Sequence, residues 1–124
     1  KPILIGVTVL TSISNSELEE IGINDDLRDH VANLARLAYD SGLDGVVCSA
    51  EEARLLRDSL PPDFILVTPG IRRDQDAKGD QKRVITPSEA IRNGSDYLVV
   101  GRPITKAASP SAALAAFNSE IASV

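Results

Sequence analysis

The sequence predicts an α/β protein: four βα units with a parallel sheet, the carboxyl-terminal half of a (βα)₈ barrel in one domain spanning residues 1–124. Three observations predict it. Short apolar runs at 3–10, 44–48, 64–67 and 97–100 alternate with segments of helical spacing, the pattern of βα repeats. Each run is apolar on both faces, as in parallel strands covered by helices. The last two runs lead into the longest polar segment, 68–83, and into Gly101-Arg102-Pro103. In (βα)₈ barrels the loops after the last two strands, near a short helix, often hold phosphate. An open doubly wound sheet also accommodates four strands, but the loop placement favours the barrel.

The elements follow in order. The first strand, 3–10, is rich in β-branched residues. Ser16 and Glu19 have the spacing of a capping box, with Gly22 as the stop of a short helix. Asn24-Asp25-Asp26 caps a longer helix whose apolar stripe is Leu27, Val31, Leu34, Ala35 and Ala38, closed by Gly42. After the second strand, Ser49 and Glu52 form another capping box opening a helix to about Ser59. Pro61-Pro62 precedes the third strand. Thr86-Pro87-Ser88-Glu89 combines an N-cap, a first-turn proline and a capping-box glutamate, and that helix stops at Gly94. The fourth strand ends at Gly101. Ser109-Pro110 begins the last helix, with Leu114, Phe117 and Ile121 expected inward.

Composition narrows the function. With 43% apolar and 25% charged residues, the 124-residue chain has an ordinary globular balance. Only 3% is aromatic and there is no Trp, so base stacking has little support. A formal charge of −5 argues against a nucleic-acid partner while permitting a local basic site. A lone cysteine makes no internal disulfide and fits a reducing cytoplasm. No apolar run is long enough to span a bilayer. The chain contains no Met and opens with Lys1-Pro2 directly into a strand, which leads us to expect further sequence, the amino-terminal half of the barrel, upstream.

The candidate chemistry lies at strand tips. A glycine turn lets backbone N–H groups approach an anion, and a guanidinium beside it matches phosphate oxygens bidentately. Gly101-Arg102 has this form, against the alternative of an exposed arginine paired with an acid. Pro69-Gly70-Ile71-Arg72 repeats the logic, and Gln81, near the end of the same loop, can donate and accept at once. Thr11 and Ser12 either donate to a polar ligand or cap the next turn. His30 lies between Leu27 and Leu34 on a helix and reads as structural, and Cys48 as a small core residue. Asp76, Lys78 and Asp80 read as solvated charge. No metal-ligand spacing and no nucleophilic triad is present.

These residues resemble a known family. Val7-Thr8-Val9-Leu10-Thr11-Ser12, Gly42-Leu43-Asp44-Gly45-Val46-Val47-Cys48-Ser49, Val67-Thr68-Pro69-Gly70-Ile71-Arg72, Gly79-Asp80-Gln81 and Val100-Gly101-Arg102-Pro103-Ile104-Thr105 are similar to the bacterial orotidine 5′-phosphate decarboxylases, in the same order. The resemblance covers the carboxyl-terminal half of that family's chain. It implies a homodimeric (βα)₈ barrel that converts orotidine 5′-phosphate to uridine 5′-phosphate and CO₂ without cofactor or metal. Thr11 would contact the pyrimidine and Arg72 the ribose-phosphate end. Gln81 would bridge phosphate and base, and Gly101 and Arg102 would hold the phosphate. The family's catalytic Asp-x-Lys-x-x-Asp set belongs to the other half. Asp76-Ala77-Lys78-Gly79-Asp80 has the wrong spacing and is not that set, so no catalytic residue is expected here. The alternatives are another sugar-phosphate decarboxylase or aldolase on the same barrel, or a phosphate-binding half-barrel without catalysis.

Overall fold

The computed structural model describes residues 1–73 and 85–124. Its centre is one parallel sheet of β1 (Ile5–Val7), β2 (Gly45–Val47), β3 (Ile65–Thr68) and β4 (Tyr97–Leu98). The spatial order is β1-β2-β3-β4, the order of the sequence. A doubly wound sheet reverses direction part-way and places helices on both faces. A monotonic order with right-handed crossovers places every helix on one face, as in a barrel wall. The chain is therefore four βα units of a barrel.

All four strands differ from their expected limits. β1 pairs only through Ile5, Gly6 and Val7, opposite Gly45, Val46 and Val47. The apolar run 3–10 exceeds what its three-residue neighbour can pair, so Ile3, Leu4 and Leu10 stay exposed. β4 pairs through Tyr97 and Leu98 with β3 alone. β2 is shorter than expected at both ends, and β3 sits one residue later, reaching Thr68.

Expected burial on both faces is met on one only. Val46, Phe64 and Leu66 are buried against the helices. A Cβ on Gly6 would meet Leu43 and Ala38, so Gly6 also faces that side and Ile5 and Val7 face away. The register then places Val7, Val47, Val67 and Tyr97 in one row on the opposite face. Val7 is 60% exposed and Tyr97 58%.

The helices begin and end largely where local chemistry sets them. α1 (Asn15–Glu20) is capped by Ser14, whose Oγ accepts from Glu17 N, rather than by Ser16. Asn15 Oδ1 accepts from Leu27 N at 2.8 Å, so the start of α1 is tied to the next helix and the Ser16–Glu19 box does not form. α2 (Leu27–Asp40) is capped by Asp26, with Leu27, Val31 and Ala35 buried and Leu34 and Ala38 packed against the same core. α3 (Ala50–Ser59) carries the expected reciprocal box: Ser49 N donates to Glu52 and Glu52 N to Ser49 Oγ. α4 (Pro87–Arg92) starts behind Thr86, whose Oγ1 accepts from Glu89 N. α5 (Arg102–Thr105) is a single turn, and α6 (Pro110–Ala122) is capped by Ser109. Gly22, Gly42 and Gly94 end their helices at φ +88, +89 and +108, a region that suits glycine.

On α6 the buried line is Ala113 and Phe117. Leu114, expected inward, is 47% exposed, because α6 packs along the i, i+4 line from Ala113 onto the second core. That core gathers Ala50, Ile71, Ala90 and Phe117, with Ile85, Leu98, Val100 and Ile104 against it. The first core joins the helix-facing side of the sheet to α1, α2 and α3. Glu120 adds a polar tie: its Oε2 accepts from Ser88 N and Ser88 Oγ at 3.1 and 2.8 Å, satisfying a first-turn amide of α4 from α6.

The amino-terminal ends of the strands are closed by a repeated device. Asp44 Oδ2 accepts from Leu4 N, and Asp96 Oδ2 accepts from Leu66 N, each two residues after a positive-φ glycine. Arg57 completes the second copy. It donates to the carbonyls of Pro62, Phe64 and Gly94 and to Asp96 at 2.7 to 3.0 Å. The exposed ion pair by itself contributes little; the carbonyls that lose their donors matter more. Arg57→Met is expected to destabilise the chain by about 2–3 kcal/mol, read as a lower urea midpoint at unchanged slope.

Candidate functional site

Three of the five sequence-derived site residues occupy equivalent positions. Thr11, Arg72 and Arg102 each lie four residues past the last residue of β1, β3 and β4. All therefore belong to the carboxyl end of the sheet, where α/β barrels do their chemistry. β3 and β4 are adjacent, with strand axes roughly 5 Å apart, so Arg72 and Arg102 rise from neighbouring tips. Thr11 rises from the far side of β2.

The β4 tip is built for close approach. Gly101 is the N-cap of α5, and its carbonyl accepts from Ile104 N and Thr105 N at 3.0 Å and from Thr105 Oγ1 at 3.3 Å. These bonds turn the chain at once from strand into helix, with Pro103 in the first turn. A Cβ on Gly101 would meet nothing within 4 Å, so open space lies beside this backbone. Arg102 stands exposed at the start of α5. α5 is thus a single turn that follows the β4 tip directly.

The β3 tip is more enclosed. Ile71 pairs with Ile85 in a parallel bridge, and Arg72 N donates to Ile85 O at 3.1 Å. Arg72 is 7% exposed, and its Nη1 donates to Ile71 O at 2.9 Å. Arg73 turns elsewhere: its guanidinium lies 4.9 Å from the centroid of the Phe117 ring, a cation–π contact. Of the adjacent arginines, Arg73 joins the α6 core and Arg72 belongs to the tip. Gln81 lies outside the described residues, as do Asp76, Lys78 and Asp80.

Thr11 is buried at 5% exposure in a turn closed by Ile13 N donating to Leu10 O. The cap of the following helix is Ser14, so neither Thr11 nor Ser12 is used as that cap. Ser49 at the β2 tip is committed to its capping box. Cys48 is fully buried in the first core, as expected, and His30 is half-buried on α2. Among the described residues no group of three or more His, Cys, Asp or Glu could hold a metal, and no helix is long and apolar enough to cross a membrane.

The motif order, the strand-tip placement and the comparisons agree. The family model described as orotidine 5′-phosphate decarboxylase / HUMPS family matches residues 1–117. The chain belongs to this family. It is 57% identical over 121 residues to an orotidine 5′-phosphate decarboxylase of Coxiella burnetii, covering 98% of this chain and 51% of that protein. With the Shewanella sediminis enzyme of the same name it shares 60% over 120 residues, again covering 51% of that protein. Among solved structures, the decarboxylase of Lactobacillus acidophilus aligns at a TM-score of 0.81 with 41% identity, over 97% of this chain and 49% of that one. The Pyrococcus horikoshii decarboxylase aligns at 0.71 with 26% identity. The chain spans about half the length of the curated relatives it matches.

Proposed function

We propose that this chain supplies the phosphate- and pyrimidine-binding half of an orotidine 5′-phosphate decarboxylase, a cytoplasmic, cofactor-independent enzyme acting as a homodimer. The observation that carries the reading is the adjacent pair of β3 and β4 tips, one bearing Arg72 and the other Gly101 and Arg102 at the start of α5. A monoester dianion suits a backbone turn with open space beside it and a bidentate guanidinium. Thr11 would contact the pyrimidine from the β1 tip, and Gln81 would join phosphate to base. In the reaction the bond from C6 to the carboxylate breaks, CO₂ leaves, and the electron pair stays at C6. A lysine of the other half then supplies the proton there, giving uridine 5′-phosphate.

These residues would not touch the breaking bond. Their part is to convert binding of the non-reacting phosphate into stabilisation of the transition state. The family assignment and relatives at 57–60% identity that carry the decarboxylase name support this substrate over another sugar phosphate. The test is complementation. The 124-residue chain alone is expected to leave orotidine 5′-phosphate unchanged. Co-expressed with the amino-terminal half of the C. burnetii relative, it is expected to release CO₂ and form uridine 5′-phosphate. A folded one-to-one complex with no turnover would reject the assignment.

A further inference from the structure

The three strand pairs end alike at their tips: the residue after the last paired one returns its N–H to the neighbouring strand. Cys48 N donates to Val67 O at 3.0 Å, and Val99 N to Thr68 O at 2.9 Å. The corresponding bond of β1, Thr8 N to Val47 O, is 3.4 Å long, beyond the roughly 2.7–3.2 Å usual for an N–H donor. The Thr8 hydroxyl makes good the difference. Its Oγ1 donates to the same carbonyl at 2.8 Å, and a carbonyl has lone pairs for both donors. Cys48 and Val99 have no hydroxyl, and their backbone bonds are of ordinary length. The Thr8 bond lies on the β2 side of β1, so both its partners belong to this chain whatever stands along the other edge.

The chain leaves the sheet at this point. Alternation from Gly6 would turn Val9 away from the helices, yet Val9 is buried in the first core among them. Burial of a valine is non-directional; it holds the segment down without aiming it. The hydroxyl bond of Thr8 is directional, and it lies three residues before Thr11. Thr11 is itself buried in the turn that Ile13 N closes on Leu10 O at 3.0 Å. We propose that Thr8 is a positioning residue: its bond to Val47 O fixes where the β1 tip leaves the sheet and so aims Thr11 at the base of the nucleotide. The inference rests on the pyrimidine contact assigned to Thr11 above. Thr8 touches no substrate. Arg72 and Arg102 rise from β3 and β4, joined at the tip by a backbone bond of 2.9 Å, so the phosphate side is independent of Thr8.

Thr8→Val keeps the shape of the side chain and removes the donor, whereas Thr8→Ser keeps the donor. In the complemented barrel, Thr8→Val is expected to lower kcat/KM for orotidine 5′-phosphate and the affinity for uridine 5′-phosphate about tenfold each, the scale of one lost hydrogen bond. Affinity for ribose 5-phosphate, which has no base, is expected to stay unchanged, and Thr8→Ser to recover most of the loss. In the 124-residue chain alone, Thr8→Val is expected to speed amide exchange at position 8 and at Ile13, leaving the Cys48 amide as protected as before. An unchanged Ile13 amide overturns the proposal whether or not the barrel is active. Equal losses for uridine 5′-phosphate and ribose 5-phosphate also overturn it, since Thr8 would then be a general prop of the fold. So does a Thr8→Ser variant as poor as Thr8→Val. Absence of turnover in the unsubstituted complex rejects the decarboxylase reading itself, and with it the aim that Thr8 gives to Thr11.

Discussion

Replacing Arg102 by alanine is expected to cut kcat/KM for orotidine 5′-phosphate roughly a hundredfold in the complemented barrel, a loss of about 3 kcal/mol. The guanidinium would make a charge-assisted, two-pronged contact with phosphate at the β4 tip, and alanine leaves neither charge nor donors there. Because the phosphate does not react, the distribution of the loss is informative. If phosphate binding merely anchors the substrate, KM rises and kcat stays. If it drives closure around the reacting carbon, kcat falls as well, and that is the outcome we expect. Arg102→Lys keeps the charge but not the fork and should recover only part of the loss. Steady-state kinetics on the two variants decide it. A change below threefold for Arg102→Ala would remove Arg102 from the site.

The second large effect is structural. Phe117→Ala is expected to cost about 3–5 kcal/mol, measured by urea denaturation of the 124-residue chain. Phe117 is 1% exposed at the centre of the second core. Its ring also carries the Arg73 guanidinium. That core includes Ile71 and Ile85, whose bridge sets where Arg72 leaves the sheet, and Ile104 of α5. Loss of the ring should therefore loosen both arginine-bearing tips. Phe117→Leu retains most of the volume and loses the cation–π contact, so it should cost much less. Equal effects of the two substitutions would show that the volume of the ring is not what holds the core.

What could be read in advance divides along a physical line. The Ser49–Glu52 box, the Thr86-Pro87 start and the glycine stops at 22, 42 and 94 all took their expected places. Each is set by bonds that close within a few residues, whatever the rest of the chain does. The positions of Thr11, Arg72 and Arg102 after strand tips were legible for the same reason, since an apolar run followed by a turn locates its own end. Ser16 failed as a cap because a tertiary bond, Asn15 to Leu27 N, fixed where α1 begins. Leu114 failed as a core residue because the helix face that is buried depends on what α6 packs against.

The pairing of Asp44 and Asp96 with amides of the neighbouring strands left no local signal either, since their acceptors serve donors 40 and 30 residues away. Nor did the roles of the two adjacent arginines, one held against its own tip and the other laid over Phe117. From its own order of residues, then, this chain determined that it is four βα units with polar tips at one end. Tertiary structure alone decided how long each strand is, which arginine stays at the tip, and which face of the sheet the helices cover. The reason is that caps and turns are satisfied by near neighbours, whereas strand length and burial are properties of whatever lies alongside.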